Sequence, residues 1–287
     1  MSSTPFTLRL LRALVGLAAA ALLLPGSSAR ANDHAGGAVQ ATVRRAAHAY
    51  AELEQKDIQK LSKELDALIA DPVIVAPFVA RDRAKLLAVA GPLFEKLKAQ
   101  NITHWYFLDL EPARTCFLRV HAPTLHGDVI SRETLTKAIA TKAMGAGKEL
   151  GKTAFALRVV KPVRAAGKLV GYMELGEEIE HFLGRMKAQT GDDYGLLVDK
   201  SRVDRKELTR VRGEDRWEER EEVVLIESTA WQDRNVQLGV PLARLPAEGR
   251  VVGQWKDGAN TYAGGAFPVR DASDRVVGAM FVRHRVD

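Results

Sequence analysis

The chain contains a single cysteine, Cys116, among its 287 residues. One cysteine cannot form an internal disulfide, and it excludes any metal centre that needs several thiolates. A lone free cysteine is usually buried as a small apolar side chain. We therefore expect Cys116 to lie in the core without a chemical role.

The sequence also lacks the short motifs of common hydrolases and nucleotide-binding enzymes. It has no G-x-S-x-G, no G-x-x-x-x-G-K-[ST], no H-E-x-x-H and no S-x-x-K. Cys116 and His121 are five residues apart on a predicted strand. Strict alternation places them on opposite faces, so they cannot meet as a nucleophile and its base. We predict that the protein is not an enzyme and that it has no cofactor.

The first 31 residues have the features of a cleaved export signal. Two arginines and no acidic residue precede an apolar run from Ala13 to Leu24, and Ala29-Arg30-Ala31 supplies a small-x-small cleavage pattern. The run is shorter than the roughly 20 apolar residues of a membrane-spanning helix, which disfavours an uncleaved anchor. We predict a signal peptide at residues 1–31 and a periplasmic or secreted protein.

The rest of the chain has little excess of either charge. The signal holds three of the 42 basic residues and none of the 36 acidic ones, so 39 basic residues face 36 acidic ones and the net charge is +3. Arg205–Glu222 is dense in charge but mixes both signs, so we interpret it as solvated surface. This balance argues against a nucleic-acid partner. No second apolar run is long enough to predict a membrane span.

Residues 32–70 lack proline, and they lack glycine after Gly37. Apolar residues recur there at spacings of mainly three and four, the period of an amphipathic helix: Val39, Val43, Ala47, Tyr50, Leu53, Ile58, Leu61, Leu65 and Leu68. Such a helix is longer than one small domain is wide, because each residue adds about 1.5 Å. We predict a long N-terminal helix over 32–70 that Asp71-Pro72 ends.

After that helix, stretches of period two alternate with shorter helical patterns. The predicted helices are Ala80–Ala99, Ser131–Met144 with Ser131 as its N-cap, and Glu177–Lys187. The predicted strands are Ile102–Leu110, Thr115–His121, Thr153–Val163, Lys168–Gly176, Tyr194–Lys200, Glu222–Ser228 and three C-terminal runs.

Two of the predicted hairpins share their proline and glycine positions. Pro162-Val163-Arg164 is followed by a turn and Gly171, and Pro268-Val269-Arg270 is followed by a turn and Gly278. The repeat indicates two copies of one strand-rich unit. We predict a module over 71–190, a second, smaller module over 191–287, and a helix that is long because it lies beside both.

Four stretches resemble the double Cache sensor domains of chemoreceptors and sensor histidine kinases. They are THWYFLD, LRVHAP followed by HGDVISR, LRVVKPV, and GYMELGEEIEHFL, all between about Ile102 and Leu183. The resemblance implies an α+β fold, with a long N-terminal helix packed along two tandem PAS-like antiparallel sheets. It also implies a membrane-distal-type first module that holds a small ligand, often a carboxylate or an amine, and that has no catalytic activity.

The end of the chain departs from that family. Its members usually continue into a second membrane helix and a cytoplasmic signalling domain, whereas this sequence stops at Asp287. The resemblance then implies an exported sensing half that acts with a separate membrane receptor or sensor kinase.

Alternation gives each strand of the first module one apolar face and one polar face. Phe117 is expected on the polar face of its strand together with two of the candidates. The candidate ligand-binding residues are Arg119, His121, Arg158, Tyr172, Trp105 and Glu174. An arginine fork binds a carboxylate through two hydrogen bonds, so Arg119 and Arg158 would capture a small organic anion. His121 and Tyr172 would add hydrogen bonds, and Trp105 or Tyr106 would form a wall.

The same arginines have a second interpretation. Glu174, Glu149 or Asp128 could be their acceptor inside the protein, because an unpaired buried charge is costly. The protein would then be an interaction or scaffold protein with a degenerate pocket, working through its long helix or its charged Arg205–Glu222 segment.

Two further alternatives are less well supported. His121, His126 and Asp128, with His104 on the neighbouring strand, have metal-binding side chains. No helix aligns the two histidines of that segment, however, and Gly127-Asp128 is more typical of a tight turn, so we predict no metal. A periplasmic hydrolase of unknown type is the other alternative.

Overall fold

The structure, a computed structural model, describes residues 27–151, 155–229 and 237–287. The predicted signal peptide falls mostly on residues 1–26, outside the described residues. Within the described part of the chain, no helix combines the length and the apolar composition that crossing a membrane requires.

Six α-helices and ten strands are described, in the order in which they are numbered. The helices are α1 Ser27–Ala70, α2 Pro72–Val79, α3 Arg83–Lys98, α4 Glu133–Thr141, α5 His181–Thr190 and α6 Arg205–Arg212. The first five strands are β1 His104–Leu108, β2 Cys116–Arg119, β3 Gly145–Leu150, β4 Phe155–Ala165 and β5 Lys168–Glu178. The other five are β6 Asp193–Asp199, β7 Val223–Ser228, β8 Arg250–Asp257, β9 Asn260–Arg270 and β10 Val276–Arg285.

The strands form two five-stranded antiparallel sheets of identical topology. The strand order is β2-β1-β5-β4-β3 in the first sheet and β7-β6-β10-β9-β8 in the second. Adding five to each strand number converts one order into the other, so the predicted repeat is a repeat of structure. The predicted fold, an α+β protein with a long helix and two tandem PAS-like sheets, is confirmed.

The glycine at the matching position of the two hairpins is needed for the same steric reason in each sheet. A Cβ on Gly171 would lie 2.6 Å from the backbone oxygen of Leu108 and 2.5 Å from a ring carbon of Phe78. A Cβ on Gly278 would lie 2.3 Å from the backbone oxygen of Leu197. Because the neighbouring strand approaches so closely at both positions, only glycine fits without a shift of the backbone.

The helix α1 is long because it packs along both sheets. Near its N-terminal end, Gln40 bonds to the second sheet, donating to the backbone oxygen of Gly249 at 2.8 Å and accepting from the amide of Val251 at 3.1 Å. Further along, Glu54 pairs with Lys148 of β3. The forty-four residues of α1 measure about 66 Å at 1.5 Å per residue, enough to run beside two sheets.

One continuous core joins the two modules. It is formed by the apolar stripe of α1 and by the faces of both sheets that look toward α1, which we call the inner faces. Tyr50 of α1 lies where the modules meet, with its ring centroid 5.7 Å from that of Phe182 and 5.6 Å from that of Phe267. The opposite, outer faces carry separate smaller clusters.

Several predicted helix boundaries were wrong. The helix expected over Ala80–Ala99 is α3, and α2 before it was not predicted; Asp71 does not only end α1 but caps α2 by accepting from the amide of Val73 at 2.8 Å. The helix expected over Glu177–Lys187 begins at His181, because β5 extends to Glu178.

The helix α4 begins differently from the prediction. Ser131 is not its N-cap, since Arg132 occupies that position without a capping bond from its side chain. Instead, the carboxylate of Glu149 on β3 accepts from the amide of Thr134 at 2.8 Å. A residue distant in the sequence therefore replaces the local cap. Its strand, β3, was not predicted because glycine, which is depleted in strands, occupies two of its first three positions.

The segment Arg205–Glu222 is not simply solvated surface, as was predicted. It contains α6, whose Leu208 is buried, and it contains the buried Arg220. Mixed charge hides this helix in the sequence, because a single buried leucine gives almost no apolar period.

Candidate functional site

The outer face of the first sheet carries a row of polar side chains that crosses all five strands. They come from β3, β4, β5, β1 and β2 in that order: Glu149, Arg158, Glu174, Tyr106 and Arg119. The start of α4 and the segment before it lie against this row, with Arg132 reaching down to it. We call these six residues with His104, His121 and Asp128 the outer-face cluster.

Glu174 is the centre of the outer-face cluster and is fully buried. Its carboxylate accepts from Arg132 at 2.6 and 2.9 Å and from Arg158 at 2.5 Å. Burial alone would raise the pKa of Glu174, but the two guanidinium groups outweigh burial and lower it. Glu174 is therefore ionised, and both arginines are held in place from below.

Arg119 forms the accessible rim of the outer-face cluster. Its guanidinium donates to both carboxylate oxygens of Asp128, at 2.7 and 2.6 Å, and to the backbone oxygen of Leu125 at 2.6 Å. The side chain of Asp128 is 53% exposed, whereas that of Arg119 is 12% exposed. The hydrogen bonds to Arg119 lower the pKa of Asp128, so this pair is ionised and faces solvent on one side.

The ring of Tyr106 lies among three guanidinium groups. The central carbon of the guanidinium is 4.5 Å from the ring centroid for Arg132, 5.3 Å for Arg119 and 5.5 Å for Arg158. Arg132 also donates to the hydroxyl of Tyr106 at 3.1 Å. Contacts of this kind stabilise cations over an aromatic face and fix the positions of the three positive groups relative to one another.

Two histidines border Tyr106 and are neutral. Burial, and then the neighbouring Arg158, lower the pKa of His104 to about 2. Burial lowers the pKa of His121 to about 4, and its Nδ1 accepts from the backbone amide of Trp105 at 3.2 Å. The positive charge of the outer-face cluster therefore resides on its arginines.

A β-bulge between β1 and β2 changes which side chains share a face. The register shifts after Phe107, so Phe117 packs toward Phe78 and the inner core rather than beside Arg119, where it was predicted. Cys116 lies in the outer apolar cluster, and the argument that alternation separates it from His121 was wrong. Cys116 is buried as predicted, and burial raises the pKa of its thiol to about 11, which disfavours a nucleophilic thiolate.

The structure brings four of the six candidate residues together and separates two. Arg119, His121, Arg158 and Glu174 belong to the outer-face cluster. The ring of Trp105 lies on the inner face, fully buried in the main core, and its backbone amide alone reaches the cluster through His121. Tyr172 is on the outer face but packs in the apolar cluster with Leu108 and Val160.

Five residues of the outer-face cluster were not among the ligand-binding candidates. Tyr106 was considered as a wall beside Trp105, and His104 was weighed only as a metal ligand. Glu149 and Asp128 were considered as internal acceptors, and Arg132 was given no role of its own. Arg132 directly precedes a helix that must pack on a sheet. The start of such a helix lies close to the sheet surface. An arginine just before it could therefore have been predicted to reach the polar face of the sheet.

One group within the described residues has the composition of a metal site. The donor atoms of Asp57, Glu177 and His181 all lie within 4.8 Å of one another, on the inner side of the first sheet. Lys60 lies 2.5 Å from a carboxylate oxygen of Glu177, and Arg185 lies 2.6 Å from one of Asp57. These two cations already neutralise the carboxylates, so the group is a charge network.

The long helix beside two tandem antiparallel sheets is the architecture of a known family of sensory domains. The family model of the double Cache type named dCache_3, described as "Double sensory domain of two-component sensor kinase", matches residues 38–221. The match covers more than half of the chain, and the protein belongs to this family.

Solved structures share this fold at low sequence identity. The periplasmic domain of LuxQ from Vibrio cholerae has a TM-score of 0.51 at 12% identity, covering 84% of this chain and 99% of that one. The sensory domain of the Campylobacter jejuni chemoreceptor Tlp3 with isoleucine bound has a TM-score of 0.52 at 10% identity, covering 92% and 98%. The search of curated proteins finds no match.

Proposed function

We propose that this sensory domain recognises a small organic anion, most simply a carboxylate, on the outer face of its first sheet. The observation that carries the proposal is the arrangement of three guanidinium groups around the ring of Tyr106. Two ionised carboxylates, Glu174 and Asp128, oppose these three positive charges. Burial raises the pKa of the next carboxyl group, Glu149, which limits its contribution. A ligand carboxylate would balance the remaining charge.

The candidate residues have distinct proposed roles. Arg119 is the first contact, because its partner Asp128 is half exposed and a ligand carboxylate can take the place of Asp128 without unfolding the sheet. Arg158 supports the ligand from below, since its buried Nε has no partner among the described residues. His121 would add a hydrogen bond, and Tyr106 rather than the ring of Trp105 would form the flat wall; Tyr172 packs in the apolar cluster and has no proposed contact with the ligand.

Location and partners are also part of the proposal. An arginine-flanked apolar run at the N-terminus and a cleavage pattern at Ala31 support export, and the domain of LuxQ with this fold is a periplasmic domain. We infer a periplasmic or secreted protein with a small-molecule ligand. Its signal would pass to a membrane receptor or sensor kinase.

A scaffold with a degenerate pocket is the second candidate function. It is favoured by the internal pairing itself, because Glu174 already accepts from two arginines and Asp128 from the third. In that case the outer-face cluster would stabilise the module without binding a ligand.

A thermal-shift screen against small carboxylates, amino acids and amines tests the proposal. A ligand at a hundredfold excess over its dissociation constant stabilises the native state by about 2.7 kcal/mol, which raises the melting temperature measurably. We expect Arg119→Lys to abolish the shift. Arg283→Lys is the matched control, because Arg283 is equally buried and forms a similar ion pair on the second sheet, with Asp257. A shift lost in both variants, or no shift with any compound, would favour the scaffold.

A further inference from the structure

The charge network on the inner side of the first sheet connects three elements and lies apart from the proposed ligand face. Asp57 belongs to α1, Glu177 to β5 and His181 to the start of α5. Asp57 and Glu177 are buried, at 3% and 0% exposure. The charged groups that face them from these elements are Lys60 of α1 and Arg185 of α5, and the next ion pair along the chain is Glu180 with Arg212.

The contacts of His181 require one proton more than two ionised carboxylates and a neutral imidazole supply. Its Nδ1 lies 2.7 Å from the backbone oxygen of Glu178, which can only accept, so Nδ1 carries a hydrogen. Its Nε2 then faces an oxygen of Asp57 at 3.1 Å and an oxygen of Glu177 at 3.9 Å. A neutral imidazole would present a lone pair to two carboxylates, and three acceptors would meet without a donor.

Glu177 supplies an independent observation. Its Oε2 accepts from Lys60 at 2.5 Å, but its Oε1 is buried and has no hydrogen-bond partner among the described residues. A buried carboxylate oxygen without a donor is costly, and one proton within the cluster would satisfy it. A metal ion fits less well, because Lys60 and Arg185 already lie beside both carboxylates and would repel it.

We propose that Asp57, Glu177 and His181 form a proton-binding site that takes up one proton near neutral pH and thereby strengthens the contact of α1 with β5 and α5. The pKa values agree with this geometry. Burial raises the pKa of Glu177 to about 7. Burial would also raise the pKa of Asp57, but hydrogen bonds with His181 and Glu177 hold it well below its usual range.

The site lies where a change of protonation affects the whole molecule. The helix α1 runs beside both sheets, and α5 connects the first sheet to the second. Loss of the proton leaves two buried carboxylates facing a neutral imidazole, which loosens α1 at the junction of the modules. The inference is independent of whether the outer-face cluster binds a ligand.

The melting temperature of the full chain between about pH 5 and 9 tests the site, with Glu177→Gln as the key variant. The folded state holds a proton that an unfolded glutamate, with a pKa of about 4.3, releases. The stability it contributes is therefore lost as the pH rises through about 7. We expect the wild type to melt well below Glu177→Gln at pH 8 and the difference between the two curves to shrink as the pH is lowered toward 5. The control His48→Gln, on the exposed side of α1, should follow the wild type.

Carbon-13 NMR of the Glu177 carboxyl group in the wild type gives a test that does not depend on a variant folding. We expect its resonance to move from the protonated to the ionised position as the pH rises through about 7. Parallel melting curves for wild type and Glu177→Gln, or a Glu177 carboxyl group that is already fully ionised at pH 6, would overturn the proposal. So would a rise in melting temperature with zinc chloride that His181→Gln abolishes, because the cluster would then hold a cation.

Discussion

At matching positions of the two sheets, the first has Glu174 and Arg158 where the second has Phe281 and Gly264. The strand register defines the match, because Pro162 pairs with Tyr172 in one sheet and Pro268 with Ala279 in the other. Arg158 and Gly264 each lie four residues before the proline, and Glu174 and Phe281 each lie two residues after its partner. The shared proline and glycine positions set the same backbone, and the side chains at the centres of the two outer faces then differ.

The second sheet covers its outer face with apolar side chains of its own. Phe281 and Trp255 close over Gly264, where an added Cβ would lie within 2.8 Å of both rings. The segment 237–249 then adds buried leucines to this face: Leu238, Leu242 and Leu245. Such a face stabilises the module through burial of apolar surface.

The first sheet has buried charges where the second has apolar side chains. Replacing a buried ion pair by well-packed apolar residues is often neutral or stabilising, and the second sheet demonstrates that this backbone accepts such packing. Packing on this backbone therefore does not require three arginines, which supports the proposal that the first module binds a ligand there.

The largest loss of stability is expected on replacing Glu174, the buried carboxylate at the centre of the outer-face cluster. Glu174→Leu would leave Arg158 and Arg132 without their acceptor, and we expect it to lower the free energy of unfolding by about 3–5 kcal/mol. Phe281→Leu, at the matching position of the second sheet, removes only packing and should cost about 1 kcal/mol. Urea unfolding of both variants measures the difference, and equal losses would show that the buried charges are not interdependent.

The histidines of the first sheet predict a dependence of stability on pH. His121 and His104 are neutral in the folded state, with pKa values of about 4 and 2, while the unfolded chain protonates histidine near pH 6.5. The unfolded state takes up protons first, so stability falls as the pH is lowered from about 6.5 toward 4.

Each of these two histidines should lower the free energy of unfolding by about 2 kcal/mol as the pH falls from 7 to 5, since one pKa unit is about 1.4 kcal/mol. Denaturant unfolding at both pH values, for the wild type and for His121→Gln, measures this contribution. His284→Gln on β10 is the control, because His284 is partly exposed beside Asp192. A pH dependence unchanged by His121→Gln would contradict the assignment.

The glycines of the two hairpins predict a cost that both sheets share. In Gly171→Ala and Gly278→Ala the new Cβ would meet a backbone oxygen at 2.6 and 2.3 Å, and we expect each to lower the free energy of unfolding by about 1–2 kcal/mol. Gly184→Ala in α5 is the control, since nothing lies near its added Cβ and alanine favours a helix. If one of the two strand variants is tolerated, the sheets are less alike than their topology indicates.

The smallest effect is expected at the rims of the sheets. Arg119 with Asp128 and Arg283 with Asp257 are ion pairs of similar exposure, each with its arginine near a tyrosine ring. Arg119→Ala and Arg283→Ala should each cost about 0.5–1 kcal/mol, because solvent screens both pairs. Thermal unfolding at low and high salt checks this. A much larger loss for Arg119→Ala would mean that the rim of the first sheet is structural.

Much of the fold could be predicted from patterns within single segments. The apolar period of α1, the alternation of β4 and β5, and the matching proline and glycine positions correctly predicted a long helix and two sheets. Alternation also correctly assigned Arg158 and Glu174 to one face. It failed at Phe117 and Cys116, because a bulge shifts the register there and a bulge depends on the partner strand.

By itself, the sequence determined the repeated backbone, because helix period, strand alternation and glycine positions are local properties of the chain. Tertiary structure alone decided which charges meet. Glu174 joins Arg158 of a neighbouring strand to Arg132 of a helix start, and Asp57 meets Glu177 and His181 across 120 or more residues of chain. The reason is physical: a hydrogen bond between side chains depends on distance in space, and a linear pattern records only distance along the chain.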